Sequence, residues 1–116
     1  MKIPDIAKIS YEASRAFNQQ ALGDFSQQPW DRLPESIRAD VESRVLFVVE
    51  NRNAPASALH DRWLSTLLCD GWRKAEFTDA KQKLHVRLVP WSLLPKDEQT
   101  RDKLFVRIVE ALLESL

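Results

Sequence analysis

Apolar residues recur at three- and four-residue intervals in four stretches of this chain and alternate singly in one. The first stretch predicts a helix from about Asp5 to Ala21, with Ile6, Ile9, Ala13, Ala16 and Phe17 on one stripe. Gly23 ends it in a turn, because glycine reaches positive φ without steric cost. A second helix starts at Pro34, whose missing N–H costs nothing in a first turn, and carries Ile37, Val41, Val45, Val48 and Val49. Its β-branched residues lower helix propensity, but the spacing and the charged opposite face outweigh that. Ser57, following Pro55, reads as the N-cap of a third helix that runs to Asp70. Leu59, Trp63 and Leu67 line one side of it, widened by Leu64 and Leu68. The last helix, from about Lys96 to Leu116, is the most regular, with Leu104, Phe105, Ile108, Val109, Leu112, Leu113 and Leu116 in a continuous 3–4 pattern.

Between the third and fourth helices, Leu84, Val86 and Leu88 alternate with His85, Arg87 and Val89, the period of a strand. Pairing of this run with Trp72 to Phe77 across Thr78 to Lys83 predicts a small, irregular β-hairpin. Pro90 and Pro95 confine the intervening Trp-Ser-Leu-Leu to a short turn or helical stub. The expectation is a mainly α domain of about four helices with a short β-hairpin before the last one, spanning residues 1–116 as a single unit. Its predicted core joins Ile37, Val41, Val45, Leu67, Phe105, Ile108 and Leu112, since each apolar stripe needs a partner. No internal repeat, low-complexity tract or long linker stands out.

Composition narrows the function. The chain has 116 residues, 44% hydrophobic and 29% charged, which fits one folded domain and argues against disorder. Its longest apolar run, Val45 to Val49, is too short to span a bilayer, and the N-terminus lacks an apolar signal-peptide core. One cysteine, Cys69, allows no internal disulfide, which points to a reducing, cytoplasmic setting. Seventeen basic residues balance seventeen acidic ones, which removes the electrostatic case for duplex nucleic acid. The exception is local: Trp72 to Arg87 holds five Lys or Arg, plus His85, against Glu76 and Asp79. Enzyme chemistry has little support. Two histidines and one cysteine match no zinc spacing, no catalytic motif is present, and two glycines exclude a phosphate-cradling glycine loop. No cofactor or metal is expected.

Several residues are candidates for binding. Tyr11 and Arg15, four apart on one helix face, fall opposite the predicted core stripe, where an aromatic and a cation suit a purine and a phosphate. The plain alternative is a solvated Tyr beside a surface Arg. Four tryptophans are many for this length. Trp63 shares a stripe with Leu59 and Leu67 and reads as core. Trp30 and Trp72, beside Pro29 and Gly71, are better placed to wall a pocket. His85 and Arg87 share one face of the predicted strand and could grip an anion, or simply meet water. His60 lies in the apolar sector of its helix, where a hydrogen-bonded structural histidine is the common case.

The ordered set Ile6-Ala7, Gly23-Asp24, Trp30, Leu33-Pro34, His60 with Trp63, Gly71-Trp72, His85, Leu88, Leu94-Pro95 and Asp102 to Phe105 closely resembles the RyR domain. That domain occurs in pairs in ryanodine receptor channels and as lone or fused copies in bacteria and their viruses. The resemblance covers nearly the whole chain and implies a mainly helical fold with a small β element, and binding without catalysis. Paired channel repeats of this type accommodate an adenine nucleotide stacked on the Trp of the Gly-Trp element, and prokaryotic copies are proposed to sense nucleotide-derived signals in defence systems. Carried over by position, Trp72 becomes the stacking residue, with His85 and Arg87 nearby. The chain departs from the pattern where Arg73, Lys74 and Ala75 replace a usual Tyr-Gly region, at His85-Val86 in place of His-Pro, and at Tyr11 and Ser14 in place of His and Asn.

The resulting expectation is a module for a nucleotide-derived ligand, with Trp72 and Tyr11 stacking and Arg15, Arg73, His85 and Arg87 contacting phosphate. Trp30, His60 and Trp63 form the back wall. Sensing or sequestration linked to phage defence is the setting that the resemblance implies. The alternative is an interaction module whose tryptophans fill an interface, including that of a homodimer restoring the paired arrangement.

Overall fold

The computed structural model describes residues 1–114. Helix α1 (Ile3–Leu22) begins where Pro4 fits a first turn and the Asp5 carboxylate accepts the Lys2 backbone N–H at 2.8 Å. It ends at Gly23, φ 63°, after which the Asp24 N–H reaches back to the Asn18 carbonyl at 3.0 Å. Helices α2 (Glu35–Glu50), α3 (Ser57–Cys69) and α4 (Lys96–Leu113) complete a mainly α domain, in agreement with the periodicity. α1 packs most extensively on α4 and then on α2, while α3 lies more lightly against α2 and α4.

The core joins Ile6, Ala7, Tyr11, Trp30, Val41, Val45, Val48, Leu59, Phe105, Val109 and Leu113. Val41, Val45 and Phe105 occupy their predicted places. Ile37 lies in the first turn of α2 and is exposed, and Leu67, Ile108 and Leu112 are only half-buried. On α4 the deepest sector is Phe105, Val109 and Leu113, one position round from the expected centre; Leu116 lies outside the described residues. α1 is rotated more strongly. It buries Ala7, Ser10 and Tyr11, while Ile9 is 41% exposed and Ala16 faces solvent. The physical reason is Tyr11: its ring carries more apolar area than Ile9, and its hydroxyl donates to the Gln28 carbonyl at 2.6 Å, so the phenol is buried with its polar group paired.

The β element is two short strands, β1 (Arg73–Lys74) and β2 (Leu84–His85), and they pair in parallel. A hairpin needs one chain reversal; here there are two. Asp79 and Leu84 exchange both backbone hydrogen bonds, at 2.9 and 3.0 Å, across a turn in which the Asp79 carboxylate accepts from the Lys81 N–H and Gln82 Nε2. Lys83, at φ 55°, closes that turn and returns the chain alongside β1. β2 ends at His85, so Arg87 belongs to the following turn and shares no strand face with it.

The chain also holds a short repeat that its hydrophobic periodicity does not reveal. Pro29–Pro34 and Pro90–Pro95 both read Pro-Trp-x-x-Leu-Pro. Each forms a 3-10 turn, over Trp30–Arg32 and Trp91–Leu93, and each leads into a long helix, α2 or α4. The backbones match closely: φ/ψ is −69/142° at Leu33 and −68/149° at Leu94. Proline explains the match, since it fixes its own φ and holds the preceding leucine extended. The carbonyl two residues before each Trp is also held in the same way. Tyr11 of α1 donates to Gln28 and His60 Nε2 of α3 lies against Val89 O, both at 2.6 Å. Each of the two halves is thus a helix, a tethered proline connector and a second helix.

Candidate ligand-binding site

A cavity of about 640 Å³ opens between α2, α3, α4 and β2. Its aromatic wall comes from α3 and β2. α3 presents His60 and Trp63 one turn apart, and β2 brings His85 against them. The Trp63 ring lies 5.4 Å from that of His60, tilted by 37°, and 5.0 Å from that of His85, edge-on at 79°. Trp72 follows Gly71, whose φ of 87° lets the chain turn sharply out of α3, and the Trp72 N–H bonds the Leu67 carbonyl at 3.0 Å. Its ring packs on His85 at 6.4 Å and does not line the cavity.

Hydrogen bonds fix both imidazoles. His60 Nε2 faces a carbonyl, which only accepts, so that nitrogen carries the proton. His85 Nδ1 accepts the Arg87 backbone N–H at 2.9 Å, so its neutral form is protonated on Nε2. Burial lowers the His85 pKa below the ordinary histidine value, and the Arg87 and His60 charges act in the same direction. His85 therefore enters the site at neutral pH as an uncharged donor and not as the phosphate-gripping imidazolium expected from sequence.

The charged lining falls into two groups. Arg87 Nε donates to both Glu98 oxygens, at 2.8 and 3.0 Å. Arg101 lies 3.9 Å from Glu98 and 3.8 Å from Asp102, and Asp102 also accepts from Trp91 Nε1 at 3.1 Å. Across the cavity, Arg44 of α2 sets its guanidinium 4.4 Å from the Phe105 ring centre. Arg62 of α3 lies over Phe47 at 5.4 Å and donates to Ser43 Oγ at 2.9 Å. Arg44 is exposed to the cavity, yet neighbouring protein atoms partly desolvate it and lower its pKa, opposed by Asp102 and reinforced by Arg101, without removing the charge.

Four residues named from sequence thus converge here: His60, Trp63, His85 and Arg87. Trp63, read as core, is half-buried at the cavity wall. Tyr11, Arg15 and Trp30 lie elsewhere, and the expectation that Tyr11 sits on a solvent-facing side is corrected. Tyr11 and Trp30 are 8% and 7% exposed, with their rings 5.7 Å apart in the core. Burial raises the Tyr11 pKa, with Glu12 reinforcing and Arg15 opposing. Glu12 ties the group together, accepting the Trp30 backbone N–H at 2.8 Å and Arg15 Nε at 2.9 Å. These residues anchor the 23–29 loop to α1. Arg73 is exposed on β1, outside the cavity, as is Cys69 at the end of α3. The sequence reading missed Arg44, Arg62, Glu98, Arg101 and Asp102. Arg44 carried a signal, since it interrupts the apolar series Val41, Val45 and Val48 on one helix face.

Fold and site together define a small helical domain with a cavity whose wall is part aromatic and part arginine. The RyR domain family model matches residues 39–114, and the chain belongs to the RyR domain family. No curated protein matches the chain. Every residue lining the cavity, from Asp40 to Asp102, falls inside the matched segment, whereas Tyr11, Arg15 and Trp30 fall outside it. Among the described residues no helix is long and apolar enough to cross a membrane.

Proposed function

We propose that this protein is a non-enzymatic module that binds a nucleotide-derived small molecule in the cavity between α2, α3 and α4. The observation that carries this reading is the meeting, in one cavity, of the Trp63–His85–His60 cluster with four arginines: Arg44, Arg62, Arg87 and Arg101. A half-buried indole at the cavity wall offers apolar surface to a planar base, and guanidinium groups match phosphate oxygens in charge and geometry. The volume, about 640 Å³, suits a ligand of nucleotide size. The likeness to channel repeats that accommodate adenine nucleotides supports the same class, with Trp63 as the stacking surface here. Sequestration or sensing of such a molecule in phage defence is the physiological role we attach to it.

Thermal melting with mono-, di- and cyclic nucleotides tests the reading. A ligand present at a hundred times its Kd stabilises the native state by about 2.7 kcal/mol, a readily measured shift. Stabilisation by at least one nucleotide, lost in Trp63→Leu, is the expected result. No shift with any of them at millimolar concentration would reject the proposal.

A further inference from the structure

The two groups of cavity arginines differ in what they already hold. Arg87 is hydrogen-bonded to Glu98, and Arg101 lies 3.9 Å from Glu98 and 3.8 Å from Asp102, so that side of the cavity is neutral as a set. Arg44 and Arg62 make no ion pair among the described residues, and their closest partners are aromatic faces and one serine hydroxyl. Asp40 lines the same cavity and pairs with neither of them. A guanidinium has five N–H donors, and a ring face compensates the charge while accepting few of them. Arg44 and Arg62 are both exposed at the cavity, and Asp102 acts on Arg44 only from beyond ion-pair distance, so their unused donors are open to an anion. Ser43 adds to this. Its oxygen accepts from Arg62, which leaves its own O–H free to donate into the cavity.

We infer that Arg44, Arg62 and Ser43 form an anion subsite, which takes the phosphate of the bound molecule, and that Arg87 and Arg101 form a charge-neutral wall. The assignment of the ligand as a nucleotide rests on the reading above; the anion subsite itself does not. Trp63 is the next residue after Arg62 on α3, and both line the cavity, so one small molecule reaches the indole with its planar part and the subsite with its phosphate. The phosphate contacts therefore differ from those expected at Arg15, Arg73, His85 and Arg87. Arg15 and Arg73 lie outside the cavity, His85 is neutral, and Arg87 is held by Glu98.

The test is calorimetric titration at low ionic strength with two probes, inorganic pyrophosphate and ADP. The proteins are the native chain, Arg62→Gln, Arg44→Gln, Arg44→Lys, Arg87→Gln and the exposed control Arg73→Gln. Loss of a charge-assisted contact weakens binding by about tenfold to a hundredfold. The subsite predicts that loss for both probes in Arg62→Gln and Arg44→Gln, a smaller loss in Arg44→Lys, and native affinity in Arg73→Gln. Arg62 is exposed, so Arg62→Gln, together with Arg44→Lys, decides the matter if Arg44→Gln fails to fold. Pyrophosphate binding that disappears in Arg62→Gln, with no ADP binding by the native chain, would sustain the subsite and overturn the nucleotide reading. Native affinity in Arg62→Gln and Arg44→Lys with a loss in Arg87→Gln would overturn the subsite and leave the nucleotide reading intact. No pyrophosphate binding by the native chain would also overturn the subsite.

Discussion

Truncating Trp30 separates a core tryptophan from a pocket tryptophan. Its side chain is 7% exposed and its ring meets that of Tyr11 at 5.7 Å, so Trp30→Ala opens a void beneath the loop that leads into α2. The backbone bond from the Trp30 N–H to Glu12 survives the change, and the cost is therefore that of lost burial and packing. Removing a buried Trp costs about 3–5 kcal/mol. With a urea slope of about 2 kcal/mol per M, a loss near 3 kcal/mol lowers the unfolding midpoint by about 1.5 M. Tyr11→Phe, which deletes only the hydroxyl of a part-buried hydrogen bond, costs about 0.5–1.5 kcal/mol. Urea titrations followed by circular dichroism supply both values, and ADP affinity is measured on the same samples. An unchanged midpoint for Trp30→Ala, together with loss of ADP binding, would refute this assignment and make Trp30 a pocket wall.

The lowered pKa of His85 gives stability a definite pH dependence. Between the folded value and the ordinary 6.5, the unfolded chain binds more protons, so stability falls as the pH drops below about 6.5 and is level above it. His85→Asn keeps an acceptor for the Arg87 N–H and removes the titration, so urea midpoints from pH 5 to 8 should vary less in the variant than in the native chain. Gly71, at φ 87°, has open space around it, so Gly71→Ala tests backbone strain alone. The melting temperature should fall by an amount equivalent to about 1–2 kcal/mol, and an unchanged value would contradict the account of how α3 ends.

The helices were legible because each carries an apolar stripe long enough to show its period. Their phase was less so. Tyr11 turns α1 because its hydroxyl finds a carbonyl 17 residues away, a pairing that no local pattern announces. The parallel strand pair depends on the Asp79 side chain, which caps a second reversal inside what reads as one loop. Part of the site followed the same rule. His60, Trp63, His85 and Arg87 stood out by type and position, but Trp63 read as core because a pocket wall and a core face are equally apolar. Glu98 and Asp102 continue the stripe of Phe105 and Val109 toward the helix start, where carboxylates mark a face that is covered yet charged. Arg101 is their neighbour on the same helix, but the pairing of Glu98 with Arg87 joins α4 to the turn after β2, which no local pattern announces.

The tryptophan indole resonances test the central claim most directly, because the four rings occupy different environments. Trp30 is in the core, Trp63 is at the cavity wall, Trp72 packs behind His85, and Trp91 donates to Asp102. In ¹H–¹⁵N spectra recorded during titration with ADP, the account predicts that the Trp63 indole shifts most, assigned by its loss in Trp63→Phe, while that of Trp30 stays in place. A saturating shift of Trp30 with Trp63 unmoved would contradict it, and would place the ligand beside the Pro29–Pro34 connector instead of in the cavity between α2, α3 and α4.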